Sequence, residues 1–225
     1  GSAAPAYQNL DFFGHPTYPY LYVPDYVASK KVTELYEWSD FRNTVYITTP
    51  TDYSVYVDGY ALNDITMINK YPGNPEYRSN PTVRNYINAP KLFLIPEAYL
   101  IKAEAHARGA IAGTPGMNDT DAIDTLNELR VARNASMLMP GEDAFEAVKE
   151  ERFREMLAEG QRLLDLKRWG EPLIRTGGQQ ALEDGGLLHT TGDVLHLFKP
   201  ADDKMWVWEI PLRDLNTNPN MERNW

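Results

Sequence analysis

The run ERFREMLAEGQRLLDLKRWG, residues 151–170, limits the fold more than any other stretch of this chain. It places Glu151, Arg152, Arg154, Glu155, Glu159, Arg162, Asp165, Lys167 and Arg168 among Phe153, Met156, Leu157, Leu163, Leu164, Leu166 and Trp169. The spacing predicts two helical segments hinged at Gly160. An ordinary amphipathic helix turns its charges to water and has no need of this order of types. Charges interleaved with large apolar groups predict ion pairs between packed helices.

The rest of the chain divides by composition. Residues 1–90 hold 13 of the 14 tyrosines, many prolines and little helical periodicity. One helix is expected from Tyr26 to Trp38, then a turn at Asp40-Phe41-Arg42. Val45, Ile47 and Thr49 alternate, as do Tyr53, Val55 and Val57, which reads as strands. Asp58-Gly59 suits a two-residue hairpin turn before Tyr60. Residues 91–170 read as a helical repeat core. Pro96 fits the first turn of a helix that ends at Gly109, with Tyr99, Leu100, Ala103 and Ala107 on one stripe. Asp119 or Thr120 caps a second helix, and Asp143 a third that Gly160 breaks. A fourth runs from Gln161 to Trp169. Alanines 103, 105 and 107 permit close helix approach, as in tetratricopeptide units, without a clean 34-residue repeat. Residues 171–225 form an irregular tail, in which Trp206, Trp208 and Ile210 are expected on one face of a strand. The fold class expected is mostly α: tetratricopeptide-like helix pairs, a loop-rich layer and short β-hairpins.

Several chemistries are disfavoured. A net charge of −10 without a basic cluster argues against nucleic acid. With no cysteine there is no disulfide or thiolate. His15, His106, His189 and His196 are scattered, with no close metal-ligand pair. No phosphate-binding glycine loop or nucleophile elbow occurs, and no cofactor is expected. Asn118-Asp119-Thr120-Asp121 offers oxygens for calcium but lacks the glycine and terminal glutamate of an EF-hand loop. No apolar run is long enough to span a membrane. Gly1-Ser2 reads as a vector-derived remnant, so the lack of a leader does not place the protein in the cytosol.

Two features remain. Glu97 with Glu104, and Glu155 with Glu159, could serve a carboxylate-pair glycosidase. Nearby arginines, Arg152 for Glu155 and Arg162 for Glu159, argue for a structural role, because a paired acid stays ionised and donates protons poorly. The aromatic density of residues 1–90 is the stronger ligand signal. Phe12, Phe13, Tyr18, Tyr20 and Tyr22 offer apolar faces with hydrogen-bonding edges, suited to stacking on sugar rings.

Five segments together resemble the C-terminal part of the SusD/RagB family. They are LIPEAYLIKAEAHARG (94–109), AIDTLNELRVAR (122–133), the run 151–170, WEIPLRDLNTNPNMERNW (208–225), and Asp40-Phe41-Arg42, similar to an Asp-Pro-Arg turn. Leu94 stands near a position where the family often has arginine. Family members are about twice this length, which implies that an N-terminal half with signal peptide and lipid-bearing cysteine is absent here. The resemblance implies a helical scaffold of tetratricopeptide-like repeats in a surface lipoprotein of the Bacteroidetes outer membrane. It implies non-catalytic binding of a glycan, or in some members a peptide, and delivery to a SusC-like TonB-dependent transporter. The membrane is then reached only through the missing lipid anchor. Glu97, Glu104, Asn127, Arg130, Glu155, Glu159, Arg162, Asp165, Arg168 and Trp169 map onto scaffold helices. The ligand contacts expected in the loops are Phe13, Tyr18, Tyr20, Tyr22, Tyr56 and Tyr60. A peptide-binding scaffold without a sugar role and a carboxylate-pair hydrolase are the alternatives.

Overall fold

The computed structural model describes residues 21–22, 28–49, 54–57, 60–71, 91–175 and 198–223. Four helices form its centre: α3 (Ile95–Ile111), α4 (Asp119–Ala132), α5 (Ala144–Glu155) and α6 (Arg162–Trp169). Short elements precede them: β1 (Leu21–Tyr22), α1 (Lys30–Thr33), α2 (Arg42–Val45), β2 (Ile47–Thr48), β3 (Ser54–Val57), β4 (Tyr60–Leu62) and β5 (Met67–Ile68). After α6 come β6 (Leu173–Ile174), β7 (Phe198–Lys199), a 3-10 turn at Lys204–Trp206 and α7 (Leu212–Thr217). The described residues are thus mostly helical, with short strands in small sheets.

Helices α3, α4 and α5 pack on one another. Leu100, Ala103 and Ala107 of α3 meet Ala122, Ile123, Leu126 and Leu129 of α4 and Ala147 and Val148 of α5. The alanines let the helix axes approach, and Leu126 and Val148 fill the space between them. Ala105 is exposed and takes no part. A second cluster joins Ala28, Val32, Tyr36 and Ile47 to Leu157, just beyond α5.

Local signals explain the starts. Pro96 lies in the first turn of α3. Asp143 accepts from the backbone N–H groups of Phe145 and Glu146 and caps α5. The cap of α4 is Asn118, one residue before the expected Asp119. Its side chain accepts from the Asp121 N–H at 2.8 Å and donates to the Asp121 carboxylate at 2.9 Å.

Other expectations change. Helix α3 runs through Gly109 to Ile111. Gly109 is there for close approach: a Cβ on it would stand 2.5 Å from Met117 Cβ. The helix expected over 26–38 is only α1, within the described part. The chain leaves it at Glu34 so that Tyr36 can donate to the Arg154 carbonyl and Glu37 can pair with Arg130. Val45 belongs to α2, and the strand there is two residues long. Helix α5 ends at Glu155, before Gly160, and the bend uses left-handed backbone at Ala158 and Gly160. The strand expected at 206–210 does not form. Asp203 and Trp206 close turns onto Pro200 and Asp203, the Trp206 indole donates to the Pro200 carbonyl, and Trp208 is 95% exposed. The pairing in this tail goes to Leu173–Ile174 with Phe198–Lys199.

Candidate functional site

Glu97, Glu104, Glu155 and Glu159, the acids of the two candidate pairs, are each engaged by a cation. Glu151 and Glu155 lie four apart on α5 and are fully buried. Arg42, 1% exposed at the start of α2, reaches both: its Nη1 donates to Glu151 at 2.7 Å and to Glu155 at 2.8 Å. Its Nε and Nη2 grip Asp40 at 2.7–3.1 Å. Arg130 of α4 donates to the second Glu151 oxygen at 2.7 Å, to Glu37 and to the Ser136 carbonyl. Arg133 closes on Glu155 at 2.6 Å, and the Tyr46 hydroxyl donates to the same oxygen at 3.1 Å. Burial pushes the Glu155 carboxyl up, but Arg133 and Arg42 more than reverse this, and it lies below the usual carboxylate range. Burial and the Glu155 charge push the Tyr46 phenol well above its ordinary value, so it stays a donor.

A second cluster faces α3 and α6. Arg152 donates to both Asp165 oxygens, at 2.8 and 2.7 Å, and to Glu97 at 3.2 Å. Arg168 joins Asp165 to Glu104, which also accepts from Arg108 and from the Trp169 indole. Burial acts to raise the Glu104 carboxyl, and Arg168, Trp169 and Arg108 bring it below its ordinary value. Neighbouring Glu151 and Arg152 therefore send α5's charge in two directions.

The expected partners along the sequence are not the observed ones. Arg152 turns to Asp165, leaving Glu155 to Arg42 and Arg133. Glu159 lies beyond the end of α5, where helical spacing no longer applies, and pairs with Lys70 and the Tyr71 hydroxyl. Arg162 lies over the Phe153 ring at 4.8 Å and Trp169 at 5.9 Å. Glu155 and Glu104 are held ionised by their cations, which suits a lock between helices and does not suit a proton donor.

The sequence marked Asp40-Phe41-Arg42 only as a turn and missed its place at the centre of this network. It also missed Lys70, whose ammonium caps the Glu155 and Leu157 carbonyls at 2.7 and 3.2 Å. Tertiary pairings 85 to 113 residues apart leave no periodic trace.

Of the expected ligand contacts, Phe13, Tyr18 and Tyr20 lie outside the described residues. Tyr22, Tyr56 and Tyr60 are carried by one three-stranded sheet, ordered β1-β3-β4. β1 runs parallel to β3, with Tyr22 in register with Val55. β3 and β4 are antiparallel, with Tyr56 against Ala61 and Val57 against Tyr60, the register a two-residue hairpin demands. Among the described residues no cluster of three His, Cys, Asp or Glu side chains could hold a metal. At the calcium candidate, the Asn118 oxygen is spent on the Asp121 N–H. No described helix is long and apolar enough to cross a membrane.

The model of the SusD family matches residues 24–225. No curated protein matches the chain. A SusD-like carbohydrate binding protein of Bacteroides vulgatus shares 22% identity at a TM-score of 0.62, over 96% of this chain and 44% of that one. A SusD superfamily protein of the same organism shares 22% at 0.63, over 87% and 38%. The chain thus spans about two fifths of the length of these solved relatives.

Proposed function

Because this chain belongs to the SusD family, we propose that it takes part in binding a glycan at the bacterial cell surface, without transforming it, for delivery to a SusC-like TonB-dependent transporter. The family match over residues 24–225 carries this reading. The carbohydrate-binding description of the Bacteroides vulgatus relative supports its ligand class. The cation pairing of Glu97, Glu104, Glu155 and Glu159 supports the absence of chemistry at those acids. Attachment to the outer membrane through a lipid belongs to the same reading.

In this reading the tyrosine-rich segment stacks on sugar rings and supplies hydrogen bonds to their hydroxyls, with Phe13, Tyr18, Tyr20, Tyr22, Tyr56 and Tyr60 as the contacts. Tyrosine combines both functions at low rotamer cost. A glycan array probed with the chain tests it. Binding of at least one glycan class is expected, weakened about three- to tenfold by Tyr20→Ala or Tyr60→Ala, the value of one stacked ring. Binding untouched by every one of the six alanine variants removes the site. Glycan turnover that Glu97→Gln abolishes in a folded protein removes the non-catalytic reading.

A further inference from the structure

Outside the two ionic clusters, a cleft of about 660 Å³ opens between residues 29–35, one side of α5, the start of α6 and residues 171–175. Its wall has an apolar part, from Leu35, Phe153, Leu166, Pro172 and Leu173. Its charges are unevenly used. Lys149 holds Glu146 at 2.6 Å and also Glu171. Arg154 holds Glu150 at 3.1 Å and the Leu35 carbonyl. Glu34 lies at 4.0 Å from Lys30, in the open. Lys31 lies over the Phe153 ring, 5.2 Å from its centroid.

Arg162 is different. Its half-buried guanidinium is placed by the Phe153 and Trp169 rings and donates no hydrogen bond to any described residue. Loss of water pushes it below the ordinary arginine value, only partly offset by the Glu171 and Asp165 charges. A planar fork of five donors, half-buried and stacked and with no acceptor among the described residues, matches the geometry of a carboxylate. Arg175 lines the same cleft and has no carboxylate partner among the described residues.

We propose that this cleft is a second binding site, taking a carboxylate-bearing sugar of the uronic acid class, with its carboxylate on Arg162 and its ring against the Phe153–Leu173 wall. The carboxylate rests on the geometry of the cleft, and the sugar rests on the glycan reading above. The site is distinct from the tyrosine-bearing strands, so the two fail separately.

The test is a nitrogen-15 NMR titration of the whole chain, following the arginine Nε–H and tryptophan indole signals at constant ionic strength. Sodium glucuronate, glucose and sodium propionate are the probes. Glucuronate is expected to shift the Arg162 and Trp169 signals saturably, glucose to leave them unmoved, and propionate to act at least tenfold more weakly (about the value of a lost ring contact). Read at the Trp169 indole, Arg162→Gln abolishes the response, and Arg162→Lys, which keeps the charge and loses the fork, weakens it about tenfold. Should either fail to fold, Leu173→Trp fills the cleft instead and is expected to abolish the response. No saturable shift in the unaltered protein overturns the site, as does a response that survives Leu173→Trp or Arg162→Gln. Propionate and glucuronate binding equally overturns the sugar class while leaving the tyrosine site untouched.

Discussion

At Glu155 two guanidinium groups and a phenol converge on one buried carboxylate, from Arg42, Arg133 and Tyr46. Removing one partner of a buried ion pair leaves the others uncompensated, which costs far more than the pair is worth against an apolar alternative. Glu155→Gln is expected to lower stability by about 3–5 kcal/mol, read from urea unfolding. A loss below about 1 kcal/mol, the value of an exposed pair, would show that the site is wet. The pH dependence follows from the same residue. Its folded carboxyl lies below its unfolded value of about 4.3, so its contribution is present above that pH. It is lost as the pH falls through the depressed folded value. Glu104 acts in the same sense. Stability should therefore decline on acidification below about pH 4.3, and Glu155→Gln should flatten part of that decline.

Between elements, the end of α5 depends on a residue far from it in sequence. Helix C-termini leave carbonyls without partners, and here the Lys70 ammonium takes those of Glu155 and Leu157 while pairing with Glu159. Lys70→Met keeps the aliphatic stem and deletes these bonds. A loss of about 1.5–3 kcal/mol is expected, the value of hydrogen bonds to a charged group. Faster amide exchange at residues 155–159 should accompany it. Unchanged exchange there with unchanged stability would remove the cap. Helix α3 was legible in sequence because Leu100, Ala103 and Ala107 recur at helical spacing, and α5 because Asp143 announces its start. The shape of the α5–α6 bend was not legible, because Lys70 helps set where α5 stops. The 206–210 segment misled because alternation of apolar residues specifies a strand only where a partner edge exists, and here β6 pairs with β7 instead.

At the scale of the molecule, the chemical kind of the lock was readable from residues 151–170, and its wiring was not. The D-x-R turn at Asp40 supplies the arginine that ties α2 to Glu151 and Glu155 of α5. The β3–β4 hairpin was anticipated from alternation and the Asp58-Gly59 turn, since hairpin register is a local property, whereas β1 with Tyr22 was expected as loop. Arg42 thus joins the segment before residue 50 to the helical layer, alongside the apolar cluster of Tyr36, Ile47 and Leu157. Two layers joined by both a buried charge network and a shared core should unfold together. Heating the chain is expected to give one transition, coincident in far-ultraviolet helix signal and near-ultraviolet tyrosine signal. Arg42→Met removes the shared cation and leaves Asp40, Glu151 and Glu155 buried with fewer partners. It should lower stability by at least about 3 kcal/mol and pull the two signals apart, the tyrosine change coming first. Two separate transitions in the unaltered protein would mean that the lock does not couple the layers. Coincident transitions in Arg42→Met would mean that the apolar cluster couples them alone.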